Sequence, residues 1–161
     1  MTTELLSDRV TFTEQPLTAM LIDAAMPLLE AHYREIAHYP DIPLVIDTAM
    51  YLQAAAQGMV HVYLFFDGPD LQGYAVFFVK HNLHYSTSLQ AVQDILYLAP
   101  KYRGQLLGAR FIDWCDAQLR KAGVQIVHQH VKAAHDFGPT LARLGYEHVE
   151  HVWTRRLDKG A

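Results

Sequence analysis

Residues 89–131 leave the chain few folds to choose from. An apolar run at 89–98, with Val92, Ile95, Leu96 and Leu98, stops at Pro100, whose missing amide cannot donate to a strand ladder. After Gly104 and Gly108, the residues Leu107, Phe111, Trp114, Cys115 and Leu119 fall on one helical stripe, with Arg110, Asp113, Asp116, Arg120 and Lys121 outside it and Gly123 at its end. Residues 124–131 alternate Val124, Ile126, His128 and His130 with Gln125, Val127, Gln129 and Val131, the pattern of a strand with two different faces. Strand, helix and strand in this order predict a parallel pair joined by a crossover helix.

The rest of the chain supplies the other layers. Apolar residues at Leu17, Leu21, Ala25, Leu28, Leu29 and Ile36 recur every three or four positions, which predicts helix over 17–37 with Thr18 as its cap. Pro27 is expected to break or kink that run near Ala25. The prolines within 39–43 mark a loop, and Asp47 reads as the cap of a helix over 48–57 that Gly58 ends. Residues 59–66 and 71–80 are apolar, rich in aromatic and β-branched side chains, and separated by Asp67-Gly68-Pro69-Asp70, so they read as a β-hairpin. A short helix over 140–144, ended by Gly145, and one or two strands over 146–157 complete the chain. The fold class expected is α/β: a mixed, mostly antiparallel sheet with one parallel strand pair, flanked by helices.

Composition narrows the function. The 161 residues, 51% hydrophobic and 19% charged, suit a single domain spanning 1–161. Thirteen Lys and Arg against seventeen Asp and Glu leave a formal charge of −4, so nucleic acid is not an expected partner. Cys115 is the only cysteine, which rules out an intrachain disulfide or a thiolate-rich metal site and fits a reducing cytoplasm. No apolar stretch is long enough to span a bilayer, and residues 1–10 lack a signal-peptide pattern, so a soluble cytoplasmic protein is the expectation and no membrane partner is expected.

The chemistry concentrates where the strand meets the helix. A glycine-containing turn at a helix amino terminus presents backbone amides and the positive end of the dipole to an anion, a phosphate or pyrophosphate above all. Gly108 is followed by Ala109 and Arg110 rather than Lys and Ser or Thr, which disfavours a nucleotide-hydrolysing P-loop, and the three spaced glycines of a dinucleotide fold are absent. Two glycines alone also fit an ordinary strand-turn-helix corner.

The run Leu98-Ala99-Pro100-Lys101-Tyr102-Arg103-Gly104-Gln105-Leu106-Leu107-Gly108 resembles the cofactor segment of the GNAT N-acetyltransferases. Their signature is Arg or Gln, two residues, Gly, one residue, then Gly or Ala. Arg103 and Gly108 occupy its outer positions, and Leu106 stands where the middle glycine is usual. The likeness continues to Leu141-Ala142-Arg143-Leu144-Gly145-Tyr146, similar to the family's closing helix, so it covers the carboxy-terminal half; the amino-terminal half matches in element order only. The resemblance implies acetyl-coenzyme A as cofactor, its pantetheine arm along the backbone of Leu96, Tyr97 and Leu98. Its pyrophosphate would lie on the amides of Tyr102, Arg103, Gly104, Gln105, Leu106, Leu107, Gly108 and Ala109. It also implies acetyl transfer to a small-molecule or peptide amine by direct attack, and is compatible with a homodimer.

Direct attack needs a proton acceptor for the amine and no covalent nucleophile. Asp94 lies where the family often places a carboxylate and, if partly buried, is suited to that task; a solvated or salt-bridged strand carboxylate is the other reading. The family's tyrosine acid has no counterpart, because Leu141 holds its position. Unaided departure of the thiolate, protonation by Tyr97 or Tyr102, and cofactor binding without turnover are all open. Tyr33 and Glu35, with Glu30 and Tyr39, lie in the segment that lines the family's acceptor pocket and are the candidate amine-binding residues; a wet helix face is the alternative. The ten histidines raise a rival reading, a metal site on His128, His130 and His135. A non-catalytic acetyl-CoA-binding or scaffold module is the third. No residue pattern selects one amine acceptor.

Overall fold

The computed structural model describes residues 9–104 and 106–159. In chain order the elements are β1 (Val10–Gln15), α1 (Ala19–Ile36), α2 (Thr48–Ala56), β2 (Val60–Asp67), β3 (Asp70–His81), β4 (Leu89–Leu98), α3 (Leu106–Lys121), β5 (Ile126–His128) and α4 (Gly138–Arg143). Single 3-10 turns stand at Pro100–Tyr102 and Ala133–His135. The sheet runs β1-β2-β3-β4-β5, antiparallel from β1 to β4 and parallel between β4 and β5. This is the expected mixed sheet with one parallel pair.

Period-two alternation explains why β2 is apolar without a break from Val62 to Phe66. Tyr63 and Phe65 face one side, where they meet Phe111, Cys115 and Leu119 of α3; Val62 and Leu64 face the other, beneath Leu21, Leu28 and Leu29 of α1 and Tyr51 of α2. The sheet is therefore sandwiched between helices, and each face has its own core.

Local signals placed most boundaries. The Thr18 hydroxyl accepts the Leu21 amide, and the Asp47 carboxylate accepts the Met50 amide, so both caps do what their residue types favour. Gly58 and Gly68 adopt φ values of 71° and 58°, ending α2 and turning the hairpin.

Four expectations need correction. The helix α1 continues unbroken through Pro27. Pro27 and Asp23, whose carbonyl loses its amide partner, both lie exposed, where water substitutes, while Ile22 and Ala25 hold the helix to the sheet. The strand β1 was not expected; its Phe12 packs on Phe65 and Phe111 at centroid distances of 5.4 and 5.2 Å. The strand expected over 124–131 pairs only at Ile126–His128. No strand forms over 146–156: β5 offers a three-residue edge, and Val149 and Trp153 stay 71% and 92% exposed. That segment is held by side chains instead, with the Tyr146 hydroxyl donating to Asp116 at 2.7 Å and Arg156 pairing with Asp41 at 3.1 Å.

Candidate active site

The site begins at a defect in β4. Val76 lies opposite Ile95 and Phe77 opposite Gln93, so Asp94 has no partner on β3 and forms a bulge. The parallel ladder with β5 ends just before it, at Val92 opposite His128, and the next polar contact across the gap is the His130 amide on the Gln93 side chain, 3.1 Å. Beyond the bulge the strands part and a groove of about 1160 Å³ opens. Its walls are Asp94 to Leu98, the end of α1, the start of α3, and residues 130–144.

Ladder alternation decides which backbone groups face this groove. The Ala99 amide donates to the Gln72 carbonyl at 2.8 Å, which makes 72 and 99 a hydrogen-bonded pair. Residues 97 and 95 then also point their amides and carbonyls at β3, whereas Leu96 and Leu98 point theirs at the open edge. The open edge leads to the amino end of α3, where Leu106, Leu107 and Gly108 stand in the first turn and have no helical carbonyl four residues back. A Cβ at Gly108 would meet nothing within 4 Å, so the backbone there is bare toward the groove.

Arg103 ties three walls together. Its Nε donates to the Leu98 carbonyl at 2.8 Å, its guanidinium donates twice to the Glu35 carboxylate, once at 2.8 Å, and it lies 5.2 Å from the Tyr97 ring centroid. The guanidinium holds the Glu35 carboxyl below the usual carboxylate range. With Arg110, Lys132 and Arg143 alongside Arg103, and only Glu35 and Asp94 opposing, the groove is basic in an acidic chain.

Not every residue singled out in the sequence reaches the groove. Leu96, Tyr97, Leu98, Arg103, Gly104, Leu106, Leu107, Gly108 and Ala109 line it; Gln105 lies outside the described residues. Tyr102 does not line it: its ring is fully buried, its hydroxyl donates to Asp67 at 2.6 Å and its amide to the Ala99 carbonyl. The Arg103 amide is likewise taken, by the Pro100 carbonyl at 3.1 Å. Tyr33 turns away and donates to the Pro40 and Ile42 carbonyls, anchoring the α1–α2 loop. Glu35 lines the groove as the partner of Arg103. Asp94 lines it too, exposed rather than partly buried, and accepts the Tyr51 hydroxyl.

Cys115 sits in the core, and burial pushes its thiol far up, so it is no nucleophile. Among the described residues, no three His, Cys, Asp or Glu side chains converge on a common ion position, and His128 Nε2 instead meets the Gln90 carbonyl oxygen at 3.2 Å. No described helix is long and apolar enough to cross a membrane.

Sequence reasoning missed His32. It lines the groove from α1, 7% exposed, with Nδ1 2.8 Å from the Tyr74 hydroxyl and its ring 4.9 Å from that of Tyr97. The signal was present, because Ile22, Ala25, Leu29 and His32 share a helical stripe, which places a polar ring on the sheet-facing side.

No family model and no curated protein matches the chain by sequence. Solved structures do match by shape. An aminoglycoside acetyltransferase from an uncultured soil metagenomic sample aligns over 94% of this chain and 99% of its own, with a TM-score of 0.70 and 13% identity. A predicted acetyltransferase with acetyl-CoA from Clostridium acetobutylicum aligns over 92% and 96%, with a TM-score of 0.64 and 11% identity. A GCN5-related N-acetyltransferase from Ralstonia eutropha aligns over 91% and 99%, with a TM-score of 0.67 and 15% identity. The fold of this chain is the GNAT fold.

Proposed function

We propose that this protein transfers the acetyl group of acetyl-CoA to an amine, by direct attack, in the groove between β4 and α3. One observation carries the reading: a strand edge open at Leu96 and at the Leu98 amide runs onto the bare first turn of α3. A strand edge suits the amides of a pantetheine arm, and a basic helix amino terminus suits a pyrophosphate. The volume suits a cofactor of that size, and the acetyltransferases of the same fold support the assignment.

The chain's own groups then have separable tasks. Leu96 aligns the arm by backbone hydrogen bonds, and the amides of Leu106, Leu107 and Gly108 hold the diphosphate. Asp94 takes the proton that an ammonium must lose before its nitrogen can attack, and Tyr51 orients the carboxylate by donating to it. The bound cofactor supplies a thioester whose carbonyl carbon a neutral amine attacks directly. With Cys115 sealed in the core, no acyl group is carried on a cysteine. A second reading, binding without turnover, is favoured by one observation: Leu141, where the fold's usual tyrosine acid would stand, is buried and apolar.

Calorimetric titration with acetyl-CoA tests the cofactor site. Because Gly108 opens onto free space, Gly108→Trp is expected to fold normally and to lose at least about tenfold in affinity. Wild-type protein that binds no acetyl-CoA, or a folded Gly108→Trp variant that binds as tightly, would contradict the proposal. Binding without CoA release across a panel of amines would favour the second reading.

A further inference from the structure

We infer that His32 is a neutral hydrogen-bond donor to the acetyl carbonyl oxygen, its ring fixed by Tyr74 in the form that carries the proton on Nε2. The inference rests on the acetyl-CoA reading of the groove and assigns a new residue to it. Tyr74 is 2% exposed, and among the described residues its hydroxyl meets a single polar partner, His32 Nδ1, at 2.8 Å. If Nδ1 carried the proton and donated, the phenol hydrogen would be left without an acceptor inside the core, a loss of about 1–3 kcal/mol. The hydroxyl therefore donates, Nδ1 accepts, and the proton of the neutral ring sits on Nε2.

That nitrogen is free for a ligand. Nε2 has no partner among the described residues, and it is not one of the sealed unpartnered polar atoms, which lie on Thr13, Asp67 and Gln129. Tyr97, on which the imidazole lies, neighbours Leu96 at the open edge, so the donor stands beside the backbone assigned to the pantetheine arm. Burial holds the ring's pKa down at about 4; Glu35 opposes this, while Arg103 and Lys132 add to it. An imidazole neutral at pH 7 and protonated only near 4 is a poor acceptor for an ammonium proton but a good fixed donor. Nor does a donor suit the amine, whose lone pair must stay free to attack.

The balance of the step is simple. The amine nitrogen bonds to the carbonyl carbon, negative charge grows on the oxygen that Nε2–H faces, and the carbon–sulfur bond breaks with its electron pair leaving on sulfur. The ammonium proton goes to Asp94, the second proton that the nitrogen sheds on becoming an amide passes to the departing thiolate to give the CoA thiol, and His32 gives up none.

Two spectra test this without an amine substrate. In ¹⁵N-labelled free protein, a long-range ¹H–¹⁵N correlation distinguishes the ring nitrogens; Nε2 should be protonated and Nδ1 bare. With acetyl-CoA labelled with ¹³C at its carbonyl, the bound resonance should shift from its free position. His32→Gln should keep the shift, because the amide accepts from Tyr74 and donates to the groove as the ring does. His32→Leu should lose it, with acetyl-CoA affinity unchanged within about tenfold. Once an amine is found, His32→Leu should lose on the order of 100-fold in kcat with KM little changed. A proton on Nδ1, or an equal carbonyl shift in His32→Leu, would overturn the inference while leaving the acetyl-CoA reading intact. Failure of wild-type protein to bind the labelled acetyl-CoA would remove the proposed function, and this role with it.

Discussion

Keeping His32 neutral in the fold has a thermodynamic consequence apart from any catalytic one. Its pKa falls from 6.5 in the unfolded chain to about 4 in the fold, so below pH 6.5 the unfolded chain binds the proton more readily. The associated stability is fully present above pH 6.5 and is lost as the pH falls toward 4. The wild type should lose on the order of 2 kcal/mol between pH 7 and 4.5 from this group, less than the full shift because the ring edge meets the groove. In His32→Gln, urea unfolding at the two pH values should show a difference smaller by that amount; an equal difference would contradict the neutral-ring assignment. At this scale the sequence was readable where a side chain has one use. Gly108 was placed correctly at the groove because a glycine at a helix start exposes bare backbone whatever surrounds it. His32 was passed over because a polar residue on an apolar stripe announces burial without naming its partner, and Tyr74 is 42 positions away. Tyr33 and Glu35 show what spacing leaves out: the Pro40 and Ile42 carbonyls engage Tyr33 away from the groove, and Arg103 engages Glu35 within it.

Elements followed the sequence wherever local signals agreed. The hairpin, the Asp47 cap and the amphipathic α3 all combine periodicity with matching turn or cap chemistry, and the structure keeps them. Pro27 shows a local signal overridden, since packing of α1 on the sheet outweighs one missing hydrogen bond on its wet side. The expected strands over 146–157 show the reverse: β5 is too short an edge for them to join. The bulge at Asp94 leaves no mark in composition, yet it opens the groove. Its setting depends on close contact between β3 and β4 at Gly73, where a Cβ would stand 2.6 Å from the Tyr97 carbonyl oxygen. Because that neighbour is backbone, β4 itself must move to admit it. Gly73→Ala should cost about 1–3 kcal/mol in chemical denaturation and weaken acetyl-CoA binding although it lies behind the groove. A variant of wild-type stability would show that β3 and β4 do not hold the groove edge in place.

Across the whole molecule, a sheet closed on both faces by helices splits at one point, and the split faces the start of α3 beside it. The fold, and the groove that runs from β4 to the start of α3, were legible because both depend on backbone order and on glycine positions; the far wall of the groove depends on contacts between α1, α2 and β4 that sequence spacing does not encode. Amide hydrogen exchange read by mass spectrometry, with and without acetyl-CoA, tests the central claim most directly. Slower exchange in peptides covering 93–98 and 104–110, with β1 and β2 unchanged, is the predicted result. Protection mapping elsewhere, or none at saturating acetyl-CoA, would contradict the assignment of this groove as the cofactor site.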